Sequence, residues 1–372
     1  MTWIDTAIAE RLDIAWPIVQ GPLGGGLSPV PLVVAVSEAG GLGSYGASSL
    51  TPPEIATVAA EIRARTAKPF ALNLWVGVDP APRADRAAFD RARDRLAPFL
   101  CELGVDLPTA PTAFGQDFDA QAEAVLAAAP AVFSFVFGIP PSDVLRECRR
   151  RHIYTIGTAT TVAEALALEE AGVDAVAATG AEAGGMRPSF LPAADDPLLG
   201  TFALVPQVAS AVRIPVIAAG GIVDGRGVAA ALALGAQAVQ LGTAFLACAE
   251  SGAPTIHRDA LFGKDRADTV LSRAVNGRPA RVMRNRLAEE LAAHPDAIAP
   301  FPIQGWLVGA LRKAAIAQDR TDLIGLQASQ AAPLLRHRDA ATLIDALVDD
   351  TSRILDALSS RRDAAPPRER TD

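Results

Sequence analysis

Short runs of β-branched and apolar residues, each ending in glycine or a small polar residue, alternate along this chain with alanine-rich segments whose apolar positions recur at helical spacing. Eight such runs predict strands, at residues 17–21, 41–45, 70–76, 131–137, 153–158, 175–179, 215–219 and 238–241. Between them lie helix signals, such as residues 31–39 closing at Gly40 and Gly41, or 161–171 opening at Thr161 and closing at Gly172. Strand–helix alternation of this kind implies a parallel sheet. Periodicity alone does not separate a closed barrel from an open doubly wound sheet, but eight strands favour closure.

The expected fold class is therefore α/β, a (β/α)8 TIM barrel. Two long intervals, 79–129 and 248–318, interrupt the alternation. The second predicts a small, mainly helical inserted subdomain. The expected organisation is a barrel over residues 1–247, the subdomain over 248–318, a segment over 319–358 whose alanine-rich stretch supplies the closing helix, and a disordered tail over 359–372.

Half of the 372 residues are hydrophobic, enough for a large core. Charged residues form 20% of the chain, are spread along it, and leave a net charge of -8, which argues against nucleic acid as a partner. Cys101, Cys148 and Cys248 lie far apart, so neither a disulfide framework nor a thiolate metal site is expected, and a cytoplasmic setting fits. Asp5 and Glu10 interrupt any export signal, and no apolar run reaches the roughly 20 residues a bilayer requires. No membrane partner is expected, and nothing in the pattern sets the oligomeric state.

The chemistry gathers where the predicted strands end. Gly24, Gly25 and Gly26 follow the first strand, Gly184 and Gly185 the sixth, Gly220 and Gly221 the seventh, and Gly242 with Thr243 the eighth. A phosphate cradle is built from peptide N–H groups that side chains would shield, and the ends of the last two strands are its usual place in such a barrel. The helix expected to open near Gly225 would add its dipole. The plainer alternative is that these glycines only make tight turns.

Residues 215–252, PVIAAGGIVDGRGVAAALALGAQAVQLGTAFLACAESG, resemble the matching segment of the nitronate monooxygenase (2-nitropropane dioxygenase) family. Residues 17–26 (PIVQGPLGGG), Asn73, residues 182–185 and residues 277–285 (GRPARVMRN) agree in order. The resemblance implies non-covalent FMN, with its phosphate at Gly220, Gly221, Gly242 and Thr243. Gly21, Pro22, Leu23 and Gly24 would form the opening flavin loop, Asn73 would meet the ring's polar edge, and Thr179, Gly184, Gly185 and Gln330 would also lie against the flavin. A small-molecule substrate with O2 or NAD(P)H would complete the reaction. No metal is implied.

One departure matters most. Where the family has its catalytic histidine this chain has Met186, and a thioether takes no proton at neutral pH. Arg187 could contact a substrate anion, or pair with Glu182 or Asp195 at the surface, and Tyr45 at the end of the second strand could face the site. His257, in the inserted interval, could approach a substrate, but reads more readily as a solvated loop residue; His152 reads as part of the barrel's stability face, and His294 and His337 as surface residues. Three readings stay open: oxidation of nitronates or another small apolar substrate with O2, hydride exchange like that of flavin-dependent enoyl reductases, and a non-catalytic flavin-binding protein.

Overall fold

The computed structural model describes residues 3–78, 86–191 and 197–363. Eleven strands run in chain order: β1 (Ile18–Gln20), β2 (Gly43–Gly46), β3 (Phe70–Trp75), β4 (Val132–Val136), β5 (Tyr154–Ala159), β6 (Ala175–Thr179), β7 (Gly185–Met186), β8 (Val216–Ala219), β9 (Ala238–Leu241), β10 (Thr269–Ser272) and β11 (Ala280–Met283). All eight expected strands are present. They form one parallel sheet in the order β1-β9-β8-β6-β5-β4-β3-β2. The two ends of that order meet, because Gln20 N donates to Leu42 O at 2.9 Å and Leu42 N to Ile18 O at 2.9 Å. The sheet is thus a closed (β/α)8 barrel, not an open doubly wound one.

Strand alternation divides the barrel interior into layers. Its floor is apolar: Val19, Leu42, Ala71, Val132, Ile156, Ala177, Ile217 and Ala238 pack together, and the helix Ala7–Leu12 plugs that end with Ile8, Ala9 and Leu12. Moving two residues along several of the same strands brings Asn73, Thr158, Thr179 and Gln240 onto the same inward face, one layer nearer the carboxyl ends. An apolar floor and a polar upper ring are what a barrel needs to be stable at one end and to bind at the other. On the outward faces, Val33, Ile55, Leu72, Phe135, Leu168, Val205 and Val228 belong to the main core between strands and helices.

Several helices carry legible caps. Thr161 Oγ1 accepts from Glu164 N at the start of Val162–Glu170, and Thr51 with Glu54 forms a capping box at the start of Pro52–Arg65. Among the residues after 248, helices Thr255–Phe262, Arg286–Ala292 and Ile303–Ala317 dominate, but β10 and β11 form an antiparallel hairpin that the sequence pattern did not predict. β7 joins it, with Met186 opposite Ala280. The helix Ala340–Asp363 packs against helices Gly225–Ala233 and Val30–Glu38, the place owed to the eighth barrel helix. That helix runs on past the boundary expected at Ser359; residues 364–372 lie outside the described residues. Among the described residues no helix is long and apolar enough to cross a membrane.

Candidate active site

A cavity of about 500 Å3 opens at the carboxyl ends of the barrel strands. Gly21, Pro22, Leu23, Gly24, Asn73, Thr179, Gly184, Gly185, Met186, Gly220, Gly221, Gly242 and Thr243 all line it, so the residues singled out from the sequence at separate strand ends share one space. A size of this order suits a cofactor-like ligand or a drug-sized molecule.

The glycines converge because backbone approaches backbone there. A Cβ at Gly184 would stand 2.7 Å from Ser329 N and 3.0 Å from Thr243 Oγ1, so three distant segments meet at that point. Gly220 and Gly221 have φ of 102° and 71°, a left-handed region that disfavours other residues. Ser329 is 3% exposed and lines the cavity; its N donates to Thr243 Oγ1 at 3.0 Å, while its own Oγ is buried without a hydrogen-bond partner.

The helix dipole expected near Gly225 is a correction. Helix Gly225–Ala233 is capped by Asp224, whose carboxylate accepts from Arg226 N and Gly227 N, both at 3.1 Å. Those amides are occupied, and Asp224 and Gly225 line a separate hollow of about 260 Å3 beside the last helix. The helix start that does border the main cavity is that of the short helix Thr243–Leu246, whose N-cap Gly242 and first residue Thr243 line it.

Across from the glycines the walls are apolar and aromatic. Trp75, Phe137 and Phe301 form a mutual cluster with ring centroids 5.6, 5.7 and 5.8 Å apart, and Arg278 lies 4.3 Å from the Phe137 centroid. Asn73 Nδ2 donates to Ser134 Oγ at 3.0 Å, which fixes its amide plane at the cavity floor. Glu164, though 1% exposed, accepts from Thr160 N, Thr160 Oγ1, Phe190 N and Leu191 N at 2.6–3.0 Å, so its carboxylate anchors the segment that comes after Met186.

Four sequence expectations are placed differently. Tyr45 does not line the cavity: on β2 it shares a face with Gly43, whose missing Cβ looks at Val33 O, and burial, with Glu61 and Glu54 of the outer helix, pushes its phenol up. Arg187 is 2% exposed and also lies outside the lining; its Nη1 donates to Thr179 O at 3.3 Å, a bond that braces the sheet. Asp195, one of the two surface partners expected for it, lies outside the described residues. Gln330 is exposed, with its N donating to Glu182 O at 3.0 Å, and its neighbours Gln327 and Ser329 take the cavity positions.

His257 is the fourth. It sits on helix Thr255–Phe262, is 3% exposed, and lines the cavity. Its Nε2 lies 2.9 Å from Gln327 O, which selects the tautomer that donates there. Burial pushes the imidazole down to about 4, offset in part by that bond and reinforced by Arg312 and Arg258, so it is neutral at pH 7.

The fold and the site thus define a class: a (β/α)8 barrel enzyme with a glycine-walled, cofactor-sized cavity at its carboxyl face. The nitronate monooxygenase family model matches residues 5–350. A probable nitronate monooxygenase of Staphylococcus saprophyticus is 36% identical over 354 residues, covering 95% of this chain and 99% of that protein. One from Staphylococcus aureus is 35% identical with the same coverage. The solved structure of nitroalkane oxidase from Streptomyces ansochromogenes matches with a TM-score of 0.87 and 38% identity, covering 95% of this chain and 100% of that one. FabK from Thermotoga maritima matches with 0.75 and 28%, covering 96% and 99%. The chain belongs to the nitronate monooxygenase family, and it is an oxidoreductase of that flavin-dependent type.

Proposed function

We propose that this chain binds FMN non-covalently in the barrel-mouth cavity and oxidises nitronates with O2. The observation that carries the FMN reading is the convergence of Asn73, Thr179, Gly184, Gly220, Gly221, Gly242 and Thr243 on one cavity, where Gly242 presents bare backbone with only Leu23 Cδ2, at 3.8 Å, near the place a Cβ would take. The residues present fit the group: Thr243 and Ser329 with the loops at Gly184, Gly220, Gly221 and Gly242 would hold the phosphate, and Asn73, Thr179 and Gln240 would face the ring's polar atoms. Flavin bound there supplies electron transfer and oxygen activation.

The chain's own residues then set the substrate. Met186 lines the cavity but accepts no proton, and His257 is held neutral as a poor base, so removal of a proton from a nitroalkane carbon has no efficient agent among them. A nitronate arrives with that proton already gone. Trp75, Phe137 and Phe301 keep water from the apolar wall. The three free thiols, Cys101, Cys148 and Cys248, suit a reducing cytoplasm.

The purified protein should be yellow, lose its colour on anaerobic mixing with propane-2-nitronate, and regain it in air. Colourless protein that takes up no added FMN would end this reading. A second reading left open by the sequence is hydride exchange with an enoyl thioester. Rapid bleaching by NADPH, with turnover of an enoyl thioester and none of nitronate, would replace the first reading by the second.

A further inference from the structure

Among the described residues that line the main cavity there is no aspartate or glutamate and one arginine or lysine, Arg312. Arg312 makes no ion pair or hydrogen bond among the described residues, and burial alone pushes its guanidinium down, though an arginine keeps its charge at any physiological pH. A partly buried cation without a partner is costly unless a ligand supplies the opposite charge.

The helix that carries it is built around this group. On Ile303–Ala317, residues Gly305, Val308, Gly309 and Arg312 recur at the spacing of one helical face, and all four line the cavity. Glycine is a poor helix former, yet two stand here in the helix interior. A Cβ added at Gly309 would meet no atom within 4 Å, so that turn borders open space. Long helical side chains lean toward the preceding turn, which directs Arg312 over the bare surface at Gly309. Its charge also disfavours protonation of His257, leaving Arg312 as the cavity's positive group.

We propose that Arg312 selects the charge of the substrate: its guanidinium holds the two in-plane oxygens of a small organic anion, a nitronate or its carboxylate isostere, in the space above Gly309. The planar fork of N–H donors matches a planar pair of oxygens bidentately, which a lysine does not. The proposal deepens the nitronate reading and rests on it only for the redox chemistry after binding.

The test measures binding without turnover. Isobutyrate has the shape and charge of propane-2-nitronate, and isobutyramide has the shape without the charge. Titration calorimetry on the flavin-loaded enzyme should show isobutyrate bound roughly ten- to hundredfold more tightly than the amide. Arg312→Met should abolish that preference, with flavin absorbance unchanged and a melting temperature no lower than the wild type's, while Arg312→Lys keeps part of it. Gly309→Leu, which fills the space, should weaken both ligands alike. Equal binding of the two ligands by the wild type, or an undiminished preference in Arg312→Met, overturns the proposal; if that variant does not fold, a full preference in Arg312→Lys together with an unaffected Gly309→Leu overturns it instead. An enzyme that prefers isobutyrate through Arg312 yet never oxidises a nitronate supports the charge selection and refutes only the redox reading.

Discussion

His257→Gln offers a quantitative check on the interior of the site, because it removes a buried titrating group while keeping a donor for Gln327 O. The wild-type imidazole is pushed from 6.5 down to about 4, chiefly by burial. Between those values the unfolded chain binds a proton that the folded chain refuses, so the stability contributed is fully present above pH 6.5 and drains away as pH falls toward 4. At about 1.36 kcal/mol for each pH unit, the complete loss is roughly 3 kcal/mol, and about 2 kcal/mol of it falls between pH 8 and pH 5. Urea denaturation of both proteins at pH 8, 6.5 and 5 isolates this contribution, since the shifts of all other groups cancel in the difference. The wild type should lose about 2 kcal/mol more than the variant over that range. Parallel pH profiles would mean that His257 is solvated or charged, and the description of the cavity wall would be wrong.

Ser329→Ala deletes a buried hydroxyl that has no partner within the protein, so stability without flavin should not fall while FMN dissociates about tenfold more readily, measured by fluorescence titration. Glu164→Ala strands the three amides and the hydroxyl that its carboxylate serves and should cost roughly 3 kcal/mol or more in denaturant unfolding, loosening the segment after Met186. Met186→His puts a proton acceptor at the cavity wall and should create or raise activity on neutral nitroethane, measured by oxygen uptake, with its rate rising as pH passes the imidazole's titration.

Most of the barrel was legible because its strands are buried on both faces and end in glycine: the pattern around Phe70–Trp75 or Ala175–Thr179 leaves few alternatives. The glycines at 184, 220, 221 and 242 were equally readable, since close approach of backbone leaves its mark in the residue type itself. What escaped was whatever depends on the third dimension. The hairpin of β10 (TVLS) and β11 (ARVM) pairs antiparallel outside the strand–helix alternation by which the barrel strands were read. Tyr45 ends its strand at the right height, but the strand's parity turns it outward, and only the contacts of Gly43 reveal that parity. His257 reaches the cavity through packing of the covering helices, which no local pattern encodes. Gly305, Gly309 and Arg312 did carry a signal, two glycines and an arginine on one helical face, that could have marked the wall of a site.

If bare backbone and two hydroxyls at the barrel mouth grip a phosphate, the most direct measurement compares FMN with riboflavin, which has the same ring and no phosphate. Titrated into flavin-free protein, FMN should bind at least about a hundredfold more tightly than riboflavin, and Ser329→Ala should narrow that gap. Equal affinities for the two would contradict a phosphate grip at this site.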